Sequence, residues 1–215
     1  MLKVRPPILQ VALDFIRIEE ALKIAEKALI GGADWLECGT PLIKAEGMQA
    51  IRILRRNFPD IPIVADLKTM DVGALEAELA FSAGANVVTV LAVADNKTIL
   101  DAVETARSFG GYVMADLINH PDPIRRAKEL ETLGVNIVLM HLGIDQQASR
   151  KFPIDKIPSI RREISAYLAV AGGLNDKIAR QAVMSGADII IVGRYITRSD
   201  NPIEATRRIK DSLKI

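Results

Sequence analysis

Cysteine is nearly absent from this chain. Cys38 is the only one, so no intrachain disulfide can form and a reducing cytoplasm is the expected compartment. Aromatic residues are only 4% of the 215 positions, poor material for the stacking platforms that bind single-stranded nucleic acid. Neither sign of charge dominates: 28 Lys and Arg face 27 Asp and Glu, leaving a formal net charge of +1. No global field would recruit nucleic acid or an anionic membrane, and neither is expected as a partner. No apolar run is long enough to span a bilayer, and residues 1–7 lack the apolar core of a signal peptide. Histidine is scarce too. His120 and His141 are far apart and no cysteine cluster accompanies them, which excludes a zinc site of ordinary ligand spacing.

What is present is a regular alternation. Hydrophobic residues make up 49% of the chain, enough for one large core. Short β-branched apolar runs predict strands at about 8–13, 33–38, 61–66, 86–91, 111–117, 136–141, 166–171 and 187–192. Amphipathic segments between them predict helices near 17–30, 43–57, 72–83, 96–109, 121–133, 155–164, 175–185 and 201–214. In the first, Ala21, Leu22, Ala25, Ala28 and Leu29 recur at helical spacing, and Glu19, Glu20, Lys23, Glu26 and Lys27 take the other face. Gly32-Ala33-Asp34, Gly84-Ala85-Asn86 and Gly186-Ala187-Asp188 each precede a strand, with Gly134-Val135-Asn136 as a looser fourth copy. Eight βα units with near-continuous apolar strands predict a (β/α)8 TIM barrel formed as a single domain over 1–215. The rival, an open doubly wound sheet, is disfavoured because no G-x-G-x-x-G follows the first strand.

In a barrel the strand ends converge on one rim, whatever their distance in sequence. Those ends are polar here. Strand 1 ends at Asp14, strand 2 at Glu37, strand 3 at Asp66 with Lys68 and Asp71 close behind, strand 5 at Asp116 and strand 6 at His141. Any one acid could simply cap the helix that follows it. Acids, a lysine and a histidine at so many exits predict a site instead. Glu37 and Asp66 are hard oxygen donors from adjacent strands, suited to Mg²⁺ with water and substrate completing the octahedron. Lys68 lies between the carboxylates of Asp66 and Asp71, which should keep it protonated and able to steady a developing anion. His141 can exchange a proton near neutral pH. His120, in the loop before a Pro-Asp-Pro turn, is read as a surface or helix-capping residue. At the strand 7 and strand 8 exits, Gly172, Gly173, Gly193 and Arg194 predict a phosphate cradle: backbone N–H groups at close approach, a short helical turn through Thr197, and a guanidinium fork.

These residues also carry a resemblance. The segments 9–14, 37–47, 65–71, 141–147 and 170–173 together resemble the orotidine 5′-monophosphate decarboxylase superfamily over essentially the full chain. The resemblance implies Mg²⁺ on Glu37 and Asp66, Lys68 in the reaction centre, and His141 handling a substrate proton with Asp116 relaying or orienting it. It also implies Arg194 on a substrate phosphate, and Asp71 reaching across a homodimer into the neighbour's site. The implied activity is an aldol condensation of ribulose 5-phosphate with formaldehyde, and its reverse, through an enediolate. An alternative within the superfamily decarboxylates a keto-gulonate phosphate. That branch typically has arginine directly after the strand 6 histidine, where this chain has Leu142, and glutamate at the strand 5 exit, where it has Asp116. A phosphosugar-binding scaffold without catalysis would be expected to break the acid–lysine set, which here is complete.

Overall fold

Apolar strands buried on both faces must be covered on both, and here one face closes on itself. A computed structural model describes residues 4–214. In chain order the elements are β1 (Ile8–Leu13), α1 (Ile18–Ile30), β2 (Trp35–Cys38), α2 (Thr40–Glu46), α3 (Gln49–Asn57), β3 (Ile63–Thr69), α4 (Gly73–Ser82), β4 (Val87–Leu91) and α5 (Asn96–Phe109). They continue with β5 (Tyr112–Asp116), α6 (Pro123–Thr132), β6 (Ile137–His141), α7 (Ile157–Glu163), β7 (Tyr167–Ala171), α8 (Asp176–Met184), β8 (Ile189–Val192), α9 (Arg194–Thr197) and α10 (Pro202–Ser212). The strands pair in parallel with their sequence neighbours, and β1 pairs with β8 to close the barrel. No helix among the described residues is long and apolar enough to cross a membrane.

Strand period two sorts the core into two layers. Residues such as Leu9, Val11, Leu36, Val88, Val113, Val170 and Ile190 point outward and pack under the helices. Ile8, Trp35, Val64, Val87, Met114, Ile137, Ala169 and Ile189 point inward and fill the barrel. Further along the same inward rows come Glu37, Asp66, Thr89 and Asp116, one step on, and His141, one step beyond Leu139. The apolar floor therefore carries a polar ceiling at the C-terminal mouth, because the same alternation that buries Val64 also aims Asp66 inward.

The glycine punctuation has a physical basis. Gly32, Gly84, Gly134 and Gly186 all have φ between 85° and 106°, a region that side chains other than glycine's rarely adopt. Two residues on, an Asx side chain accepts an N–H from the first or second residue of the preceding strand: Asp34 from Leu9 at 2.7 Å, Asn86 from Ile63 at 2.9 Å, Asn136 from Val113 at 3.0 Å and Asp188 from Leu168 at 2.8 Å. A long cation from a nearby helix covers each copy. Arg55 bonds Asn86, Arg161 bonds Asp188 at 2.9 Å, Lys210 bonds Asp34 at 2.5 Å, and Arg107 lies over Gly134. The looser fourth copy in the sequence thus makes the same tie as the other three.

Two expected elements differ. The helix predicted over 43–57 is two helices, α2 and α3, because Gly47 turns the chain with φ 64°. Strand 3 does not stop at residue 66. It runs on to Thr69 through an irregularity in its pairing with β4, which places Lys68 within the strand.

Replacing Asn86 with alanine strips a partner from the Ile63 N–H and from the Arg55 guanidinium. Urea unfolding should show a loss of about 1–3 kcal/mol. A midpoint unchanged from the parent protein would refute the structural role given to the tie.

Candidate active site

Residues Asp66 and Lys68, two apart on β3, face the same interior. The backbone at Lys68 is left-handed, with φ 50°, an uncommon conformation for a residue with a side chain. Thr89 on β4 supports it: its Oγ1 accepts the Lys68 N–H at 2.9 Å and donates to Asp66 Oδ1 at 2.8 Å. Thr40, at the start of α2, donates to Asp66 Oδ2 at 2.7 Å. The Lys68 ammonium lies 2.8 Å from Asp66 Oδ2 and 3.3 Å from Asp116 Oδ2. His141 Nδ1 is 2.8 Å from the same Asp116 oxygen, and the Ile118 N–H donates to the other at 2.9 Å. Three strands and the start of α2 thus build one continuous hydrogen-bonded chain, from Thr40 through Asp66, Lys68 and Asp116 to His141.

The electrostatics follow from burial and neighbours. Burial raises the Asp116 carboxyl, but the His141 hydrogen bond and the nearby positive charges outweigh it and hold it below the usual carboxylate range. An ionised Asp116 can only accept, so the proton between it and His141 sits on Nδ1. Burial pulls the Lys68 ammonium down, yet Asp66 and Asp116 more than offset it, and its pKa rises above the ordinary lysine value. Glu37 is buried on β2 with one bond, from Gln10 Nε2 at 2.5 Å. Desolvation, then Asp66 and Asp14, push its carboxyl well above the ordinary range. Asp14 is open to the mouth and hemmed in by protein on its other sides; burial and Asp66 raise it, against Lys68, His141 and Arg194.

The opposite side of the mouth is different in kind. β7 and β8 deliver Gly172, Gly173 and Gly193 where the other strands deliver acids. A side chain at Gly172 would have its Cβ 2.2 Å from the Leu142 carbonyl oxygen, so only glycine lets the two backbones approach. Arg194 opens the one-turn helix α9, and its Nη2 donates to Gln147 at 2.9 Å.

Most of the expected residues therefore meet at one mouth: Glu37, Asp66, Lys68, Asp116 and His141 in contact or electrostatic range, with Asp14 beside them. Asp14 does not cap α1, whose N-cap is Arg17. It rests instead against Gly39, where a Cβ would fall 2.2 Å from its Oδ1. Asp71 stands apart, exposed, with Oδ1 accepting the Val72 N–H at 2.8 Å. The carboxylates that flank Lys68 are accordingly Asp66 and Asp116, the latter supplied by the fold and not by the neighbouring sequence. His120 accepts the Asp122 N–H at 3.2 Å in the turn before α6, as a capping-turn residue should. Sequence reading missed Gln10, Thr40, Thr89 and Gln147. Strand alternation could have found Thr89, an inward polar residue in an otherwise apolar run.

The donor set suits a divalent cation. Asp14, Glu37 and Asp66 crowd negative charge into one mouth, and burial makes an unpaired Glu37 carboxylate costly. Among the described residues no three His, Cys, Asp or Glu side chains gather at ligand spacing. The protein's share would then be two carboxylates, Glu37 and Asp66, the pattern of an ion that keeps water or substrate in its remaining positions.

Residues 7–209 match the family model described as orotidine 5′-phosphate decarboxylase / HUMPS family. A 3-hexulose-6-phosphate synthase of Mycobacterium gastri is 38% identical over 205 residues, 95% of this chain and 99% of that one. The crystal structure of 3-hexulose-6-phosphate synthase from Salmonella typhimurium superposes with a TM-score of 0.92 at 36% identity, covering 96% and 98% of the two chains. KGPDC from Streptococcus mutans in complex with D-R5P gives 0.90 at 27% identity, covering 97% of each.

The raised Glu37 carboxyl has a sign that can be measured. Its contribution to stability is fully present below its ordinary value of 4.5 and is lost as pH rises through the elevated value in the fold. In chelator-treated protein, Glu37→Gln should raise Tm at pH 8 and leave it nearly unchanged at pH 5. A divalent cation should raise the Tm of the parent protein, most at pH 8, and the variant should lose that response. A variant melting below its parent at pH 8 under chelation would contradict the assignment.

Proposed function

The chain belongs to the orotidine 5′-phosphate decarboxylase / HUMPS family, and within it we propose the 3-hexulose-6-phosphate synthase reaction: aldol condensation of ribulose 5-phosphate with formaldehyde, and its reverse. The observation that carries this reading is the unbroken Asp66–Lys68–Asp116–His141 chain facing a glycine–arginine cradle across one mouth. Relatives of that name at 35–38% identity span nearly the whole chain. The enzyme is a carbon–carbon lyase of the aldolase type.

The phosphate end of the substrate would lie at Gly172, Gly173, Gly193 and Arg194, which sets the C1–C2–C3 end against β2, β3, β5 and β6. His141 Nε2 takes a proton from C1, and Asp116 steadies the imidazolium that results. The Lys68 ammonium stabilises the enediolate oxygen as negative charge develops. C1 then forms a bond to the formaldehyde carbon, and the new alkoxide recovers the proton from His141. No atom is left over: one pentulose phosphate and one formaldehyde give one 3-hexulose 6-phosphate. Mg²⁺ on Glu37 and Asp66 would supply Lewis-acid polarisation of the substrate carbonyl. Decarboxylation of 3-keto-L-gulonate 6-phosphate would pass through a similar anion. It is less well supported, since Leu142 is buried and apolar at the position next to His141.

The working unit is proposed to be a homodimer with shared mouths, in a reducing cytoplasm. Met70, Val72, Leu75 and Leu79 are exposed on the β3–α4 turn and α4, with Leu100 on the adjacent α5. A concentrated apolar surface of this kind marks an association face. Asp71 stands within it, exposed, and would be available to a neighbour's mouth.

Purified protein with ribulose 5-phosphate, formaldehyde and Mg²⁺ should show turnover that chelator abolishes. Lys68→Ala or Asp66→Ala should lower kcat by about 10²–10⁴-fold; near-parental turnover in either would reject its role. Leu75→Asp combined with Leu79→Asp should elute as a monomer in size-exclusion chromatography. A parental elution volume would remove α4 from the interface.

A further inference from the structure

The loop from β6 to α7 contributes a side chain that the chemistry above leaves idle. Gln147 spans from the β6 exit to the phosphate cradle. Its Nε2 donates to the Leu142 carbonyl at 2.9 Å, and its Oε1 accepts from Arg194 Nη2 at 2.9 Å. The amide can take only this orientation. A backbone carbonyl can only accept and a guanidinium can only donate, so a flipped amide would lose both bonds.

Both cradle glycines lie against this strut. The Gly172 position faces the same Leu142 carbonyl, and a Cβ at Gly173 would sit 3.3 Å from Gln147 Oε1. Arg194 is otherwise exposed, and among the described residues no carboxylate pairs with it at salt-bridge distance. Left alone, it would be a long side chain with many rotamers, and a ligand would have to order it on binding. Gln147 removes that freedom at the cost of one N–H, and its neutrality leaves the guanidinium charge uncancelled for an incoming dianion.

We propose that Gln147 is a positioning residue: it presets the Arg194 fork over the Gly172–Gly173 turn, and so gives the mouth its selectivity for a phosphorylated sugar. This rests on the phosphosugar reading above and assigns to the strut the specificity of that same cradle. The tie also reaches the residue next to His141, so the phosphate end and the proton-handling end share one short stretch of backbone.

Gln147→Ala should raise KM for ribulose 5-phosphate about five- to tenfold, with kcat within about twofold of the parent. Gln147→Glu should raise KM further, because a carboxylate there pairs with Arg194 and also meets the Leu142 carbonyl without a donor. In an Arg194→Ala background, Gln147→Ala should have no additional effect. Calorimetric titration with inorganic phosphate should follow the same order without any turnover. A KM for Gln147→Ala within twofold of the parent overturns the proposal, as do effects of the two substitutions that multiply. A parent protein inactive with formaldehyde would sink the synthase reading alone; the phosphate titrations would still decide the role of Gln147.

Discussion

One ammonium shared by two buried carboxylates governs the mouth of this barrel. Lys68 touches Asp66 on its own strand and Asp116 two strands away. Lys68 offsets the cost of burying both acids, alongside His141 at Asp116 and the Thr40 and Thr89 hydroxyls at Asp66, and the two acids in turn favour its charged form. The left-handed backbone at Lys68, the interrupted β3–β4 pairing and the Thr89 hydroxyl under its N–H all serve to hold that one group in place. Such strain persists where the surroundings over-determine it. The cation is fixed before a substrate arrives, so no reorganisation is needed when an anion forms beside it.

The mouth is divided by sign and by residue size. From β1 to β6 the strand ends bring acids, the lysine and the imidazole. At β7 and β8 they bring glycine backbone and one arginine. On the proposed reading, a substrate with an anionic tail and an enolisable head would be drawn across such a surface, tail to β7 and β8. Orientation is therefore settled by charge before any finer contact forms.

The barrel was legible because its signal is periodic. Eight apolar runs, four glycine–Asx steps and the polar strand ends all repeat, and repetition survives the ambiguity of any single segment. Convergence of Glu37, Asp66, Asp116 and His141 followed from topology alone. The unreadable parts depend on contacts between segments. Nothing near Lys68 in sequence shows that Asp116 is its second carboxylate in place of Asp71. The extension of β3 past Asp66 hangs on Thr89, twenty-one residues away. Gln10 and Gln147 look like ordinary polar residues until the fold puts Glu37 and Arg194 beside them.

The four glycine–Asx ties form a ring with no seam. Arg55, Arg107 and Arg161 each come from the helix just before the strand pair they secure. Among the described residues no helix precedes the first pair, and Lys210 of α10 takes that place, 176 residues from Asp34. Every quarter of the barrel thus carries the same Asx tie under a cation, which bonds the Asx directly in three of the four. The position of the termini is then incidental to the architecture: a circular permutant opened between α5 and β5, with the present ends joined by a linker, would retain all four fastenings.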